Sequence, residues 1–512
     1  MFNPYPQPQQ FQGALFTQGP IQQNFQTNKN FKNLYAPNHH LKKNFNEAKF
    51  IQQMHNDLNN PFRNQTNQIN YQYNNSQFYP INQQNFYGPS YTQNYPGPNQ
   101  TYVQPSQMQQ QMNNNINVQR PNNQPQKQQA NNQSLVSKAQ LWSQVLNELR
   151  NDKQRKKEYD SKEIPCQNGK SLKFKEKKYG KQPPEGYTMF ICLHGGGGCS
   201  KSVNDDQWDQ QPTFFERGFR DGCVAVSPRG ISDTWNCHFV DESFPALARL
   251  VENYIIFGGV NPNRIYLIGF SAGGDGVYAL SERLPFLFAA CSPQAGHPND
   301  IGCENLSNLP MYLAVGENDS AYKRNTVAVE YYNRIIALNS TKCGNFKAHC
   351  EVVKGSGHCF WCAQKPREGF FDGSKTSEKR NYTAFDFLYE NVRNPAPSKL
   401  TCNVDLFLTK LGNYYTPRGK YFYYIEVDEK NHPKEIMVNI DFNNNTINVT
   451  EGKGFKLNLC SEWFKNGKIV KVVGKEFQAF NATLECNQNK AKQFMKLLCD
   501  PNYGFDSTIN IP

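Results

Sequence analysis

The stretch IYLIGFSAGGDGVY, Ile265–Tyr278, holds Ser271 between Gly269 and Gly273 at the end of an apolar run. A serine so placed is either a nucleophile or a small residue in a tight turn, and the five-residue pattern alone does not separate the two. Three other segments bear on the choice. LHGGGG, Leu193–Gly198, follows an earlier apolar run and can turn backbone N–H groups toward a reacting carbonyl, with Gly196 or a neighbouring glycine and Ala272 as expected oxyanion donors. LAVGEND ends another run with Asp319 in the loop beyond it, and Glu317, nearer the run, is the weaker candidate acid. KGSGHCFW carries His358 between small residues. Each has an ordinary explanation, as a turn or a surface histidine. In the chain order Ser271, Asp319, His358 they would together perform acyl transfer. The imidazole takes the serine proton, the carboxylate fixes the tautomer, and the N–H groups hold the oxyanion.

That chemistry needs elements to position it. YTMFICLHGG and GCVAVSPRG predict buried strands, SFPALARLVENYIIFGG a helix, RIYLIGFS a strand and AGGDGVYALSERL a helix. FAACSPQAG and MYLAVGEND predict two more strands, NTVAVEYYNRIIAL a helix, FKAHCEVVKGSGH a last strand and YTAFDFLYENVR a final helix. Continuous apolar strands separated by helices predict an α/β fold, a mostly parallel sheet with helices on both faces, in which ligands bind at the carboxyl ends of the strands. Ser271, Asp319 and His358 all fall at such ends.

Ahead of the sheet, SLVSKAQLWSQVLNELRNDKQRKKEYDSKE places Leu135, Leu141, Trp142, Val145, Leu146 and Leu149 at helical spacing. This predicts one amphipathic helix with a charged end, docked on the following domain or on a partner. KSLKFKEKKYGK, Lys170–Lys181, alternates as an exposed edge strand does, a simpler reading than nucleic-acid binding. After Pro397, KYFYYIEV, EIMVNIDF, TINVTE, FKLNLC, KIVKVV and STINIP predict short strands, with one helix at NQNKAKQFMKLL. The expected organisation is a low-complexity tail over residues 1–133, a catalytic domain with its N-terminal helix over 134–397, and a small mostly-β accessory module over 398–512.

Trp208, Trp235 and His238 are expected in loops that approach the site from two sides, and predict an aromatic acyl or alcohol pocket, unless they only pin their loops. Asp275 is expected to cap or pair locally, and His297 to be a satisfied loop histidine. Cys343, His349, Cys350, His358, Cys359 and Cys362 are soft ligands close in sequence, but His358 is needed beside Ser271 and the spacing is poor for zinc. Cys350 alternates with Val352 as on a buried strand, and Cys359 with Cys362 is a possible redox pair. No metal or organic cofactor is expected.

Of the 512 residues, roughly four in ten between Met1 and Gln133 are Asn or Gln. Such a segment buries too little apolar surface to offset its ordering entropy, which predicts a disordered tail, either a spacer or a route to self-association. The net charge of +12 is spread along the chain. All 15 cysteines lie between Cys166 and Cys499, and MFNPYPQPQQ has no basic or apolar leader character, so free thiols and a cytoplasmic location are expected. The sequons at Asn444, Asn448 and Asn481 then carry no weight, and no apolar run is long enough to span a bilayer.

From Ser134 to about Arg393 the chain resembles the α/β-hydrolase superfamily, and within it the group of esterases that includes dienelactone hydrolase and poly(3-hydroxybutyrate) depolymerase relatives. HGGGG, GFSAGGDGVY, VGENDSAY and GSGH carry the likeness, with VNDDQW and SPRGISDTWN similar to bacterial members. The resemblance implies Ser271 as nucleophile, Asp319 as acid, His358 as base, Gly196 and Ala272 as oxyanion donors, and an ester as substrate. Dienelactone hydrolases themselves use cysteine where this chain has Ser271. A prolyl-oligopeptidase-like peptidase shares the triad order but usually carries a large propeller, and no such array of blades fits in this chain; a small-substrate serine peptidase stays as the alternative. A non-catalytic scaffold, assembled through the tail, is the reading from another class, and an intact triad speaks against it.

Overall fold

Residues 136–358, 383–408 and 419–512 are described by the computed structural model of the chain. The Asn/Gln-rich tail and the Cys359 and Cys362 pair lie outside them. Everything described from Val136 onward belongs to one compact unit.

The first helix, α1 (Lys138–Arg150), starts at a capping box in which the Ser137 side chain accepts from the Gln140 N–H and the Gln140 side chain reaches back to the Ser137 backbone. It does not continue through the charged stretch as expected. Asp152 accepts from the N–H groups of Gln154 and Arg155 and so caps a second helix, α2 (Lys153–Ser161). Alternation of strand and helix then begins with β1 (Glu163–Pro165), β2 (Ser171–Tyr179), β3 (Tyr187–Leu193) and α3 (Lys201–Phe214). It continues through β4 (Cys223–Pro228), α4 (Ser243–Phe257), β5 (Val260–Phe270), α5 (Ala272–Arg283), β6 (Ala290–Gln294) and β7 (Met311–Gly316). The series closes with α6 (Arg324–Leu338), β8 (Ala348–Val353) and α7 (Ala384–Glu390).

These strands form one sheet in the order β1-β2-β4-β3-β5-β6-β7-β8. From β4 to β8 every neighbouring pair is parallel, whereas β2 runs antiparallel to both β1 and β4. β2 is second in the sheet, but β1 pairs only with Ser171–Lys173, so Phe174–Tyr179, with the basic Lys175, Lys177 and Lys178, pair with β4 on one side alone, as an edge strand does. Both faces of the central strands are buried. Met189, Ile191 and Leu193 of β3 and Ile265 and Leu267 of β5 join one core with Phe244, Leu247, Val277 and Leu280 of α4 and α5. The intervening Phe190, Cys192, Tyr266 and Ile268 face the other core, with Phe215, Phe385, Phe387 and Leu388. An apolar strand with both faces covered is what a parallel sheet requires. β8 departs from expectation: it is the last strand of the sheet, Val352 is 44% exposed and Cys350 only partly covered, because an edge strand has no neighbour on one side.

Beyond α7 the described residues build two further sheets. One holds β9 (Lys399–Asn403), which leads into α8 (Val404–Leu408), and three later strands, β12 (Glu435–Asp441), β13 (Thr446–Glu451) and β15 (Ile469–Gly474), with β16 (Phe480–Thr483) at its far edge. The other holds β10 (Tyr421–Phe422), β11 (Ile425–Glu426), β14 (Phe455–Leu459) and β17 (Ser507–Ile511). The chain's last helix, α9 (Gln488–Leu498), packs Ala491 and Met495 on Leu141, Val145 and Leu149 of α1. A buried Arg393–Asp500 pair, 2.6 Å apart, joins the end of the first sheet's region to these later residues. α1 thus contacts both Ile256 of α4 and α9, the opposite end of the chain.

Candidate active site

The turn between β5 and α5 is made at Ser271. Ser271 sits at φ 54° and ψ −119°, a conformation that costs a non-glycine residue about 1–3 kcal/mol and is held only where surroundings enforce it. Its N–H donates to the Gln294 carbonyl at the end of β6, 2.9 Å away. The flanking glycines permit the close approach. A Cβ on Gly273 would lie 2.2 Å from the Leu193 carbonyl oxygen, and one on Gly269 would lie 2.3 Å from the Gly273 oxygen. No side chain fits at either position, so helix α5 rests directly on the end of β3.

Two loops from beyond β6 come to meet the serine hydroxyl. The His358 Nε2 is 2.9 Å from Ser271 Oγ, and its Nδ1 is 2.8 Å from Asp319 Oδ2. Asp319 is 2% exposed and Arg324 Nη1 stands 3.8 Å from its other oxygen. Nδ1 facing a carboxylate carries the proton and donates, which leaves Nε2 to accept from the serine. The Phe270 ring lies 5.2 Å from the imidazole, centroid to centroid. Glu317 is not beside the histidine. It accepts from the Gly355 N–H at 2.7 Å, while its own N–H donates to the Val353 carbonyl and that of Asn318 to Ser356. These bonds lace the acid loop to the loop that delivers His358.

On the other side of Ser271 the glycine loop turns at Gly196 and Gly197, with φ of +100° and +94°. A Cβ on Gly197 would lie 3.1 Å from the Ala272 Cβ, so the loop borders the first residue of α5. The Gly197 N–H donates to Asn204 Oδ1 at 2.8 Å. Those of Gly196 and Ala272 make no hydrogen bond among the described residues, and they remain the donor pair expected from the sequence.

The expected pocket trio separates. Trp208 stands on helix α3 and not in a loop; its indole N–H donates to the Ser227 carbonyl at 2.7 Å, and Lys175 stands 4.3 Å over its ring, so α3 uses it to grip the sheet. His238 is also structural. Its Nε2 lies 2.8 Å from the His194 carbonyl, it stacks edge-on against the His194 ring at 4.5 Å, and burial pushes its pKa down to about 4. His194 in turn accepts from the Gly230 N–H at 2.9 Å, and its Nδ1 meets the Gly195 carbonyl at 2.6 Å. Two neutral imidazoles therefore fasten the root of the glycine loop. Only Trp235 is open, 49% exposed, with its backbone 3.4 Å from where a Gly197 Cβ would stand. The indole N–H and the His238 imidazole were spent on carbonyls that only the folded chain brings near.

His238 carries a pH prediction. Its folded pKa is depressed below the ordinary 6.5, so the stability it contributes is present above that value and is lost as pH falls toward 4. His238→Gln, whose amide can still donate to the His194 carbonyl, is expected to lose about 2–3 kcal/mol less than the parent between pH 7 and pH 4.5. Urea titrations of both proteins at the two pH values measure the difference.

Residues without an assigned partner in the sequence reading also surround the site. Asp275, in the first turn of α5, accepts the His297 N–H at 2.6 Å, and burial pushes its carboxyl up to about 7 against that hydrogen bond. His297 Nδ1 accepts from the Asn299 N–H at 2.8 Å. Asn204 and Asp233 lie in the segments VNDDQW and SPRGISDTWN, but no spacing rule connects them to the glycine loop. Among the described residues the cysteines are free, and no helix is long and apolar enough to cross a membrane.

A sharp strand-to-helix turn at Ser271, at the carboxyl end of a central parallel strand, with Asp319 after β7 and His358 after β8, decides the architecture. The fold is that of the α/β-hydrolases. No family model matches the chain, and no curated protein matches it. Among solved structures it is similar to a thermostable esterase, at 19% identity and a TM-score of 0.32 over 45% of this chain. It spans 64% of that esterase's length. It is similar as well to LpqC, a poly(3-hydroxybutyrate) depolymerase from Bordetella parapertussis, at 17% identity and a TM-score of 0.32, over 47% of this chain and 95% of the other. With Est1E from Butyrivibrio proteoclasticus, a structure with ferulic acid bound, identity is 16% and the TM-score 0.28, over 38% of this chain and 90% of the other. Likeness of this degree says nothing of the reaction.

Proposed function

We propose that this protein is a serine hydrolase that cleaves a carboxylic ester through an acyl-enzyme. The observation that carries the reading is the unbroken hydrogen-bonded line from Ser271 Oγ through both nitrogens of His358 to the buried Asp319. Ser271 Oγ attacks the ester carbonyl as its proton passes to His358 Nε2, and the Asp319 carboxylate stabilises the imidazolium that forms. The oxyanion is held by the N–H groups of Gly196 and Ala272. His358 then gives its proton to the departing alkoxide, which leaves as alcohol. Water, deprotonated by the same nitrogen, attacks the acyl-serine, and the acid departs as Ser271 regains its proton. None of these steps needs a cofactor. The open Trp235 beside the glycine loop is the part of the expected aromatic pocket that this reading retains.

Fluorophosphonate labelling of the full chain, with p-nitrophenyl esters of increasing acyl length assayed in parallel, tests the proposal. Stoichiometric labelling at Ser271 and turnover of at least one ester are expected. A folded protein that neither labels nor turns over an ester overturns the reading and favours a binding scaffold.

A further inference from the structure

The Asn204 side chain treats Gly197 as a strand treats its neighbour. Its Oδ1 accepts the Gly197 N–H at 2.8 Å and its Nδ2 donates to the Gly197 carbonyl at 2.9 Å, so both polar groups of one glycine are held by one amide. The same Nδ2 donates to Asp233 Oδ1 at 2.9 Å. Asp233 is held by Arg229 Nη2, and Arg229 Nε donates to Asp205 Oδ1 at 2.9 Å, the residue that follows Asn204 on α3. The ring closes on itself: helix α3, the end of β4 and the loop beyond it converge on Asn204. Asn204 has no exposed surface, and a Cβ on Gly196 would lie 2.3 Å from its Oδ1.

This arrangement has a consequence for the oxyanion site. Adjacent backbone N–H groups that face the same way can line one anion site together. Here the second N–H, that of Gly197, is taken up by Asn204, while that of Gly196 has no partner among the described residues. We propose that Asn204 is a positioning residue which, anchored through Asp233 and Arg229, clamps Gly197 so that the Gly196 N–H points at the carbonyl attacked by Ser271. The role rests on the hydrolase reading above. Asn204 touches no substrate. It acts through the shape of the loop, and donors at an oxyanion site stabilise the transition state only when their direction is set beforehand.

The test combines kinetics with a readout that does not need turnover. Asn204→Ala is expected to lower kcat for a p-nitrophenyl ester by about 100-fold with KM changed less than about threefold, because the donor is misdirected only where negative charge develops. Amide hydrogen exchange, read by mass spectrometry on the peptide covering Gly195–Gly198, is expected to quicken in the variant while peptides from β3 and β5 keep their protection. A kcat within about threefold of the parent in Asn204→Ala overturns the proposal, as does a loss shared equally by kcat, KM and the exchange of the whole sheet. If the parent protein itself neither labels nor hydrolyses esters, the hydrolase reading fails. The exchange result then judges the clamp separately: local loss of protection supports it, and unchanged exchange in the glycine loop overturns it.

Discussion

Ser271→Ala is expected to lower kcat for an activated ester by about 10⁶-fold and to abolish fluorophosphonate labelling. The size follows from what one oxygen does in this geometry. Its removal takes away the hydroxyl 2.9 Å from His358 Nε2 and leaves water as the attacking group. The variant should fold. Serine already occupies φ 54°, alanine meets nearly the same steric cost there, and the N–H to the Gln294 carbonyl is kept. A residual rate above the uncatalysed reaction is expected from the oxyanion donors. Far-UV circular dichroism and a urea midpoint close to the parent's, together with steady-state kinetics, check the result. Retention of more than about one part in 100 of the parent kcat shows that another group is the nucleophile.

Asp319→Asn should cost about 10⁴-fold in kcat with little change in KM. The carboxylate oxygen 2.8 Å from His358 Nδ1 can only accept, so it holds the proton on Nδ1 and leaves Nε2 unprotonated toward Ser271. An asparagine can turn its NH₂ to that nitrogen, which then accepts, and the proton moves to Nε2. An imidazole in that tautomer donates to the serine hydroxyl instead of taking its proton. The volume hardly changes, so the packing at this buried position is kept. Arg324, 3.8 Å from the other oxygen, loses a counter-charge, and assays well below the variant's unfolding midpoint separate a chemical effect from a structural one. Proton NMR of the Nδ1–H resonance, expected far downfield in the parent and absent from that position in the variant, reports the tautomer directly. A kcat within about tenfold of the parent assigns the orienting role to a different group.

Positions that govern a local turn were legible before the fold was. Gly269 and Gly273 flank Ser271 because a strand must reverse into a helix within one residue, and no Cβ fits against Leu193 or against Gly273 itself. That constraint is short in range and leaves its mark in adjacent letters. The strand and helix alternation was equally visible, since β3 and β5 are buried on both faces and read as unbroken apolar runs. Misreadings fell where burial changes within an element. β8 looks like a covered strand, but it ends the sheet and exposes Val352. The first helix pattern runs past Asn151, yet Asp152 offers its side chain to two backbone N–H groups and starts a new helix. The strands β9 and β16 were not anticipated at all, and their short, partly polar stretches carry little period to detect.

Trp208, His238 and Asn204 mark the boundary between the two kinds of information. Asn204 and His238 border the glycine loop, Trp208 stands one turn along α3 from Asn204, and all three carry groups able to bind a substrate. The Trp208 N–H goes to Ser227, the His238 Nε2 to His194, and the Asn204 amide to both ends of Gly197. Those pairings depend on which loops meet at the carboxyl ends of β3, β4 and β5, and strand order, β4-β3-β5, is not the order of the chain. By itself the sequence determined the α/β alternation, the turn at Ser271 and the succession of serine, acid and histidine, because each depends on residues a few positions apart or on the period of burial. Tertiary structure alone decided which polar groups line the site and which hold its walls, because a buried donor takes the nearest acceptor in space and only the folded sheet brings those acceptors within about 3 Å.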